Sequence, residues 1–596
     1  MWLTFFVLSV ICFILSLSVF FVISSSTALK KKILHPFKLL FSGVWVSAFF
    51  LYIPMHFAAE GFSVADCLEA VFMALADSKD TFGFSLDFDK ITGSLDGCPQ
   101  WLSVIYLIWT ALIFIIAPAF SVGFVLSLFK NASAYMRYLC VYFRDVYVFS
   151  ELNEKSLILA SDIKAKNKNA AIVFADVFDG NEEKSYKLAE KAKLLGAICF
   201  RKDILSVNFR RHSSKKAIWF FTIGKNESEN LTQALSLTDA FKDRDNIRVY
   251  VFSIKTESEL LLTDIDKGKV KVRRINEVQS LISRNLYEHG DIIFDGAKEG
   301  ADGERLISAV VVGMGSHGTE MVKALTWYGQ MDGYRIRINA FDKDPLAEEK
   351  FTALAPELMS PDYNGVYREG EAQYCISVCS GADVQTKSFA DRISAITDAT
   401  YVFVALGDDD ININTAVRLR MYFERMKIHP VIQAVVYNTR QKKALEGIKN
   451  YRGQAYDIDF VGDIETSYAE NVIIASELEA RALAQHLKWG KEEEFWTYEY
   501  NYRSSVAQAI HMKAREKCLI PGAAKREDEL TAEERDIIET LEHRRWNAYM
   551  RAEGYVFSGT TDKSGRNDLA KMHHDLVDFS SLSEEEKRKD SRVGTR

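Results

Sequence analysis

Apolar residues are concentrated at one end of this chain. Three long hydrophobic runs, at 2–24, 39–59 and 101–129, come before a long remainder in which short β-rich runs alternate with helical segments. Each run is close to the roughly twenty residues that cross a bilayer as a helix. The first opens Met1-Trp2-Leu3-Thr4 with no basic start, so a retained helix is expected, not a cleaved signal. Lys30, Lys31 and Lys32 follow the first run, and Lys130, Arg137 and Arg144 follow the third. Basic flanks remain in the cytoplasm. The N-terminus and the acid-rich loop between the second and third runs are therefore expected outside, and the long C-terminal part inside.

Within that outer loop, residues 65–76 carry apolar side chains at helical spacing and lead into Thr81-Phe82-Gly83-Phe84. The arrangement resembles the pore helix and selectivity filter of two-helix potassium channels. There a Thr-x-Gly-aromatic strip turns backbone carbonyls toward the ion. Ser85 replaces the usual second glycine, and Lys79 and Asp80 stand where small hydroxyl residues are usual, so ion selectivity stays open. The alternative is an amphipathic outer helix and loop without conduction.

Composition narrows the remainder. The 596 residues are enough for several domains, and the net charge of −7 gives no basic surface for nucleic acid. The eight cysteines form no CxxC pair or metal-ligand spacing, and no metal site is expected. Cys67 and Cys98 flank the outer loop and are either a disulfide or two unrelated small residues.

The β-rich runs fall at 145–150, 171–176, 197–201, 217–223 and 248–254, and again at 306–313, 335–342, 374–379, 401–407 and 430–437. Strands alternating with helices predict parallel sheets covered on both faces, here two doubly wound units in tandem. The second unit opens strand, Gly313-Met314-Gly315-Ser316-His317-Gly318, helix, and Asp342 ends its next strand. Such glycines let a pyrophosphate approach a helix N-terminus, and the acid accepts from ribose hydroxyls. The bland alternative keeps the glycines for packing alone. Asp408, Asp409 and Asp410 close the fourth strand and either hold a divalent cation or cap a helix. The first unit's opening turn, Ser150-Glu151-Leu152-Asn153, has no glycine, so that half is expected to be structural.

The pore-like hairpin, the run Asp145-Val146-Tyr147-Val148-Phe149-Ser150 and the later Arg273-Arg274-Ile275-Asn276-Glu277 together resemble the regulator-of-potassium-conductance (RCK) domains of ligand-gated potassium channels. That resemblance implies a homotetramer, with tandem Rossmann units forming a ring that controls the inner helices. The C-terminal end carries Glu542-His543-Arg544-Arg545-Trp546, Gly554-Tyr555-Val556-Phe557-Ser558-Gly559, Lys571-Met572-His573 and Leu582-Ser583-Glu584-Glu585-Glu586-Lys587. In order and spacing this resembles the ryanodine-receptor (RyR) repeat, with His574 and Asp578 where the family has proline. In this reading Trp546, Tyr555 and Phe557 offer stacking faces. Arg544, Arg545, Arg551 and Lys571 pair with phosphate, and His573 donates to either. The alternative makes the aromatics core residues and the cations solvated.

The expected fold class is a multi-domain membrane protein. It has a transmembrane helix (1–27), a two-helix pore-like domain (36–130), two α/β doubly wound Rossmann (RCK-like) domains (140–300 and 301–490) and a mostly α-helical RyR domain with linker helices (491–596). The expected function is a non-enzymatic, ligand-gated cation channel in the plasma membrane. Its cytoplasmic part would sense a nucleotide-derived second messenger, as an effector of antiviral defence. The alternatives are a housekeeping potassium channel that binds NAD or ATP at Gly313, Gly315, Gly318, Asp342 and Asp408, and a membrane-anchored nucleotide-processing enzyme. The chain shows no nucleophile elbow, HExxH or Walker loop to support the latter.

Overall fold

The computed structural model describes residues 2–594 apart from 26–35, 58–62, 79–94, 96–97, 129–130, 178–182, 256, 265, 301–302 and 447–449. The filter-like segment with Thr81, Phe82, Gly83 and Phe84, together with Lys79, Asp80 and Ser85, lies outside the described residues. Contacts divide the chain into two units, Met1–Cys140 and Val141–Arg596.

The first unit is helical: α1 (Trp2–Ser25), α2 (Pro36–His56), α3 (Val64–Ser78) and α4 (Gln100–Leu128). Two stretches, Trp2–Val19 of α1 and Gln100–Pro118 of α4, are long and apolar enough to cross a bilayer, whereas the apolar stretch of α2, Leu40–His56, is shorter. Small residues let α1 and α2 approach closely, as apolar helices do when burial of hydrophobic surface cannot drive them together. A Cβ on Gly43 would lie 1.7 Å from Ser16 Oγ. The Ser9 hydroxyl donates to the Ser47 carbonyl (2.9 Å) and Ser47 returns a bond to the Ser9 carbonyl (3.0 Å). Trp109 Nε1 of α4 donates to the Ser9 hydroxyl (3.0 Å). Helix α3 matches its apolar spacing: Ala70, Ala74 and Ser78 are buried, while Leu68, Val71, Phe72 and Leu75 form an exposed stripe. Trp45 Nε1 bonds the Ser78 hydroxyl (2.9 Å) and His56 bonds Asp77 (2.9 Å), which pins α3 to α2. Cys67 and Cys98 are both free thiols, so the disulfide alternative falls away.

The second unit contains the two predicted parallel sheets. The first comprises β1 (Val146–Phe149), β2 (Ala171–Phe174), β3 (Ile198–Cys199), β4 (Ile218–Thr222), β5 (Ile247–Phe252) and β6 (Lys271–Ile275), in the order β3-β2-β1-β4-β5-β6. Helix α5 (Glu277–His289) leads onward to the second sheet. That sheet comprises a short antiparallel β7 (Lys298–Glu299), then β8 (Arg305–Val312), β9 (Tyr334–Phe341), β10 (Tyr374–Cys379), β11 (Tyr401–Val404) and β12 (Val431–Val435). After the hairpin β13 (Asn450–Tyr451) and β14 (Gln454–Ala455), β15 (Ile458–Val461) completes the order β10-β9-β8-β11-β12-β15. Both are the doubly wound order, whose chain reversal between first and fourth strands opens a crevice at the carboxyl edge. The strands read as continuous apolar runs because helices cover both faces. In the first sheet Phe174, Phe149, Phe221 and Tyr250 sit in register on adjacent strands and stack at 5.2, 4.8 and 5.1 Å. Full burial of one such ring contributes about 1.5–3 kcal/mol.

Helix α6 (Ser316–Tyr328) follows the glycine turn, and α7 (Asp409–Arg425) follows the Asp run. The C-terminal segment adds α8 (Glu499–Lys517), α9 (Ala532–Ala552), the two-stranded parallel pair β16 (Val556–Phe557) and β17 (Met572–His573), and α10 (Glu584–Gly594). It does not stand apart from the second sheet. Ile510, Leu541, Met550 and Leu576 belong to the same core as Val311, Leu325, Ile338 and Tyr401.

Candidate functional site

Helix α9 places the candidate chemistry. Thr531 caps it in a reciprocal box with Glu534, which fixes where its turns begin. Successive residues then point about 100° apart, and Arg544 and Arg545 part company. Arg545 and Trp546 face a cavity of roughly 380 Å³ that is also lined by Trp489, Tyr500, Arg566 and His573. Arg544 is buried elsewhere, and the carboxylates acting on it are Asp332 and Glu304.

Of the residues read from sequence as ligand-binding, the cavity wall therefore collects Arg545, Trp546 and His573. The others hold the segment together. The Tyr555 ring packs on Tyr500 at 5.9 Å, and its hydroxyl donates to Asp568 (3.4 Å). The Phe557 amide donates to Glu357 (3.0 Å), and Lys571 Nζ donates to the Glu553 carbonyl (2.6 Å). Trp489 and Tyr500 escaped the sequence reading because they lie well upstream of the Glu-His-x-Arg-Trp run, and only the fold returns them to it. His543 and His574 were within reach, since each adjoins a residue already singled out.

The floor of the cavity is charged. Arg545 is 1% exposed. Its Nη2 donates to Glu542 Oε1 (2.7 Å), while Nε and Nη1 are buried without a partner. A buried donor left unpaired costs about 1–3 kcal/mol, so an acceptor entering here gains that back. Burial would raise the Glu542 carboxyl, but Arg545 and Arg515 hold it below its ordinary value. The rim cations are already engaged: Lys563 with Glu585 (3.3 Å) and Glu586 (3.2 Å), Lys589 with Glu586 (2.5 Å), Arg566 with Asp568 (3.2 Å). A phosphate at the rim must exchange partners, whereas an acceptor at Arg545 need not.

The wall is aromatic. Trp546 meets His573 edge to face at 4.9 Å and stacks on His543 at 5.9 Å. Burial, reinforced by Arg566, His574 and Lys589, pushes the His573 imidazole down to about 3, so it is neutral at physiological pH. His573 Nδ1 accepts the Asp575 amide (3.1 Å), which places the ring proton on Nε2. His573, His574 and Asp575 have ligand atoms within 4.8 Å of one another. The two imidazoles, however, stack nearly parallel at 4.7 Å and 10°, so their in-plane lone pairs do not converge on one cation. The set suits a flat, acceptor-bearing ligand better than a metal.

The glycine turn of the second sheet is built differently. Gly313 has φ +97°, and a Cβ on Gly318 would lie 1.6 Å from the Gly313 carbonyl, so both are required by the turn and its packing. Asp342 is spent on the same turn: Oδ2 accepts the Met314 amide (2.5 Å) and Oδ1 the Asp344 amide (2.7 Å). Gly315 caps α6 with open space beside it. Asp408 caps α7 by accepting the Ile411 amide (3.0 Å). Asp409 accepts the Tyr437 (3.0 Å) and Asn438 (2.8 Å) amides, and Asp410 accepts from Gln441 (2.8 Å). The Asp run thus serves as caps and loop ties, as the bland alternative expects.

At the carboxyl edge of the first sheet lies a cavity of roughly 310 Å³ lined by Asn153, Lys155, Gly224 and Glu277. Its polar groups satisfy one another: Asn153 caps the following helix and donates to the Ile223 carbonyl (2.7 Å), and Lys155 pairs with Glu277 (2.6 Å). No family model matches the chain, and no curated protein matches it significantly.

Proposed function

We propose that this chain is a ligand-gated membrane ion channel, a cation channel of the potassium-channel type, whose cytoplasmic α/β part senses a nucleotide-derived signal in the C-terminal cavity. The observation that carries the reading is Arg545, which with Trp546 lines a cavity the size of a small ligand and keeps two buried donors without a partner. Stacking on Trp546 and hydrogen bonding to Arg545 are what a nucleobase with ring acceptors can use. The tandem doubly wound sheets and the apolar helices α1 and α4 support an RCK-type, multi-pass membrane protein with its large part in the cytoplasm. The resemblance extends this to an RyR-type sensor, a homotetramer and a role as an antiviral effector. The commitment of Asp342 to the glycine turn weighs against NAD or ATP at the second sheet as the controlling signal.

Calorimetric titration of the detergent-solubilised chain with cyclic oligonucleotides, ADP-ribose derivatives, NAD and ATP tests the reading. Trp546→Ala is expected to lower affinity roughly 5- to 150-fold, because stacking on one base contributes about 1–3 kcal/mol, and Arg545→Ala by a similar factor through the lost hydrogen bonds. Binding that survives both substitutions and is lost in Gly315→Val places the signal at the glycine turn instead.

A further inference from the structure

The floor of the cavity continues into the protein as a line of buried side chains. Arg545 Nη2 donates to Glu542 Oε1 (2.7 Å), and the other Glu542 oxygen accepts from Arg515 Nη2. Arg515 Nε donates to His511 Nδ1 (2.8 Å). The ring proton of His511 is therefore on Nε2, which donates to the Gln330 carbonyl (2.6 Å). Gln330 lies just beyond the end of α6. Its side-chain amide donates to the Gln373 carbonyl (3.0 Å), and its Oε1 accepts the Gln373 amide (2.8 Å). Gln373 immediately precedes β10, the edge strand of the second sheet.

Stability alone is a poor reason for this line. A buried Arg-Glu-Arg arrangement pays heavily in desolvation and is often no better than apolar packing. Gln330, His511, Arg515, Glu542 and Arg545 are all at most 2% exposed. Direction is fixed at each link, since guanidinium groups only donate and carboxylates only accept. Burial, with the charges of Arg515 and Arg545, keeps His511 well below its ordinary value, so its single ring proton stays committed to Gln330. The cavity end of the line is the guanidinium whose remaining donors are unpartnered. An acceptor that engages the unpartnered donors of Arg545 shares the guanidinium with Glu542 without displacing it, and so reweights the bonds Glu542 makes to Arg545 and Arg515.

We infer that Arg545, Glu542, Arg515, His511, Gln330 and Gln373 form a hydrogen-bonded relay that couples occupancy of the cavity to the end of α6 and to β10. The inference rests on the reading above that the cavity holds a ligand, and it adds the route by which the second sheet responds. Coupling of this kind is reciprocal, so disturbance at either end registers at the other.

Hydrogen exchange of the full chain in detergent micelles tests the relay without a ligand. Arg545→Ala is expected to speed exchange in 326–331 and at the Gln373 amide by about fivefold or more, the lower end of ordinary coupling between sites. Gln330→Met, which keeps the backbone carbonyl, is expected to speed exchange in α9 around 542–546. Asn547→Ala removes another fully buried side chain of α9 and breaks its Nδ2 bond to the Val577 carbonyl (3.0 Å), outside the line. It is expected to loosen α9 and leave 326–331 unchanged. The relay is overturned if Arg545→Ala leaves 326–331 and Gln373 as in the native chain, or if Asn547→Ala reproduces its effect. A further arm adds ADP-ribose as the probe. Protection of α9 with a change at 326–331 upholds both cavity and relay, and protection of α9 alone overturns the relay while the cavity reading stands. Absence of protection in α9 counts against ADP-ribose as the occupant, and the variants then decide the relay by themselves.

Discussion

From the sequence, Asp342 and Arg545 are both expected to meet a nucleotide, and their surroundings differ in one respect. Both oxygens of Asp342 accept backbone amides, Met314 of the glycine turn and Asp344 of its own loop, while Arg545 keeps two donors without a partner. Asp342→Ala is therefore expected to act on stability, by about 1–3 kcal/mol, because two amides lose their acceptor. A thermal melt should register that loss, and titration should show the affinity for the activating nucleotide unchanged. Loss of binding in a variant that melts normally would move the ligand to the glycine turn. His573 supplies a second test at this scale. An imidazole in an unfolded chain titrates near 6.5, whereas burial with Arg566, His574 and Lys589 holds His573 at about 3. Between those values the unfolded chain binds a proton that the folded chain refuses. Stability contributed by this site is thus complete above ~6.5 and is lost on acidification, by up to ~1.4 kcal/mol per pH unit. His573→Gln should flatten the fall in melting temperature between about pH 7.5 and pH 5.5. An identical slope in the variant would mean that His573 is not held neutral in the fold.

At the scale of elements, the apolar pattern accounts for most of what the structure contains. The strands from β1 to β12 that carry continuous Val, Ile and Phe runs were legible because burial on both faces leaves no polar positions to confuse the period. Strand β6, Lys-Val-Arg-Arg-Ile, was not, because it is an edge strand with an exposed Lys271 and half-buried arginines. Strand β15 escaped for the same reason, with Asp459 exposed in its middle. The glycine turn forms as expected, and its acid, expected to accept from ribose hydroxyls, accepts two backbone amides. Nothing in the sequence separates those two uses of Asp342, since both need an acceptor at the end of the second strand. Likewise, Arg544 and Arg545 are adjacent and chemically equal, and only the rotation of α9 assigns one to the cavity. Tyr555, Phe557 and Lys571 of the same motif do not line the cavity. In the helical unit, the approach of α1 to α2 depends on Gly43 lying against Ser16. Gly43→Val should separate the helices and cost roughly 1–3 kcal/mol by overpacking, seen as a lower melting temperature of the solubilised protein. An unchanged melt would show that the two helices do not pack through Gly43.

The whole molecule comprises an apolar helical unit and an α/β unit, and the α/β unit carries the more specific chemistry. The exposed apolar stripe of α3, Leu68, Val71, Phe72 and Leu75, fits an assembly in which lipid or neighbouring subunits cover that face. A ligand opens such an assembly only by binding the open state more tightly than the closed one. The most direct test is ion flux from liposomes reconstituted with the folded chain and challenged with cyclic oligonucleotides, ADP-ribose derivatives, NAD and ATP. The account predicts flux evoked by one nucleotide class, lost in Trp546→Ala and Arg545→Ala and retained in Asp342→Ala. Flux that persists in the two cavity variants but disappears in Asp342→Ala, or no flux from folded protein with any of these ligands, would contradict it.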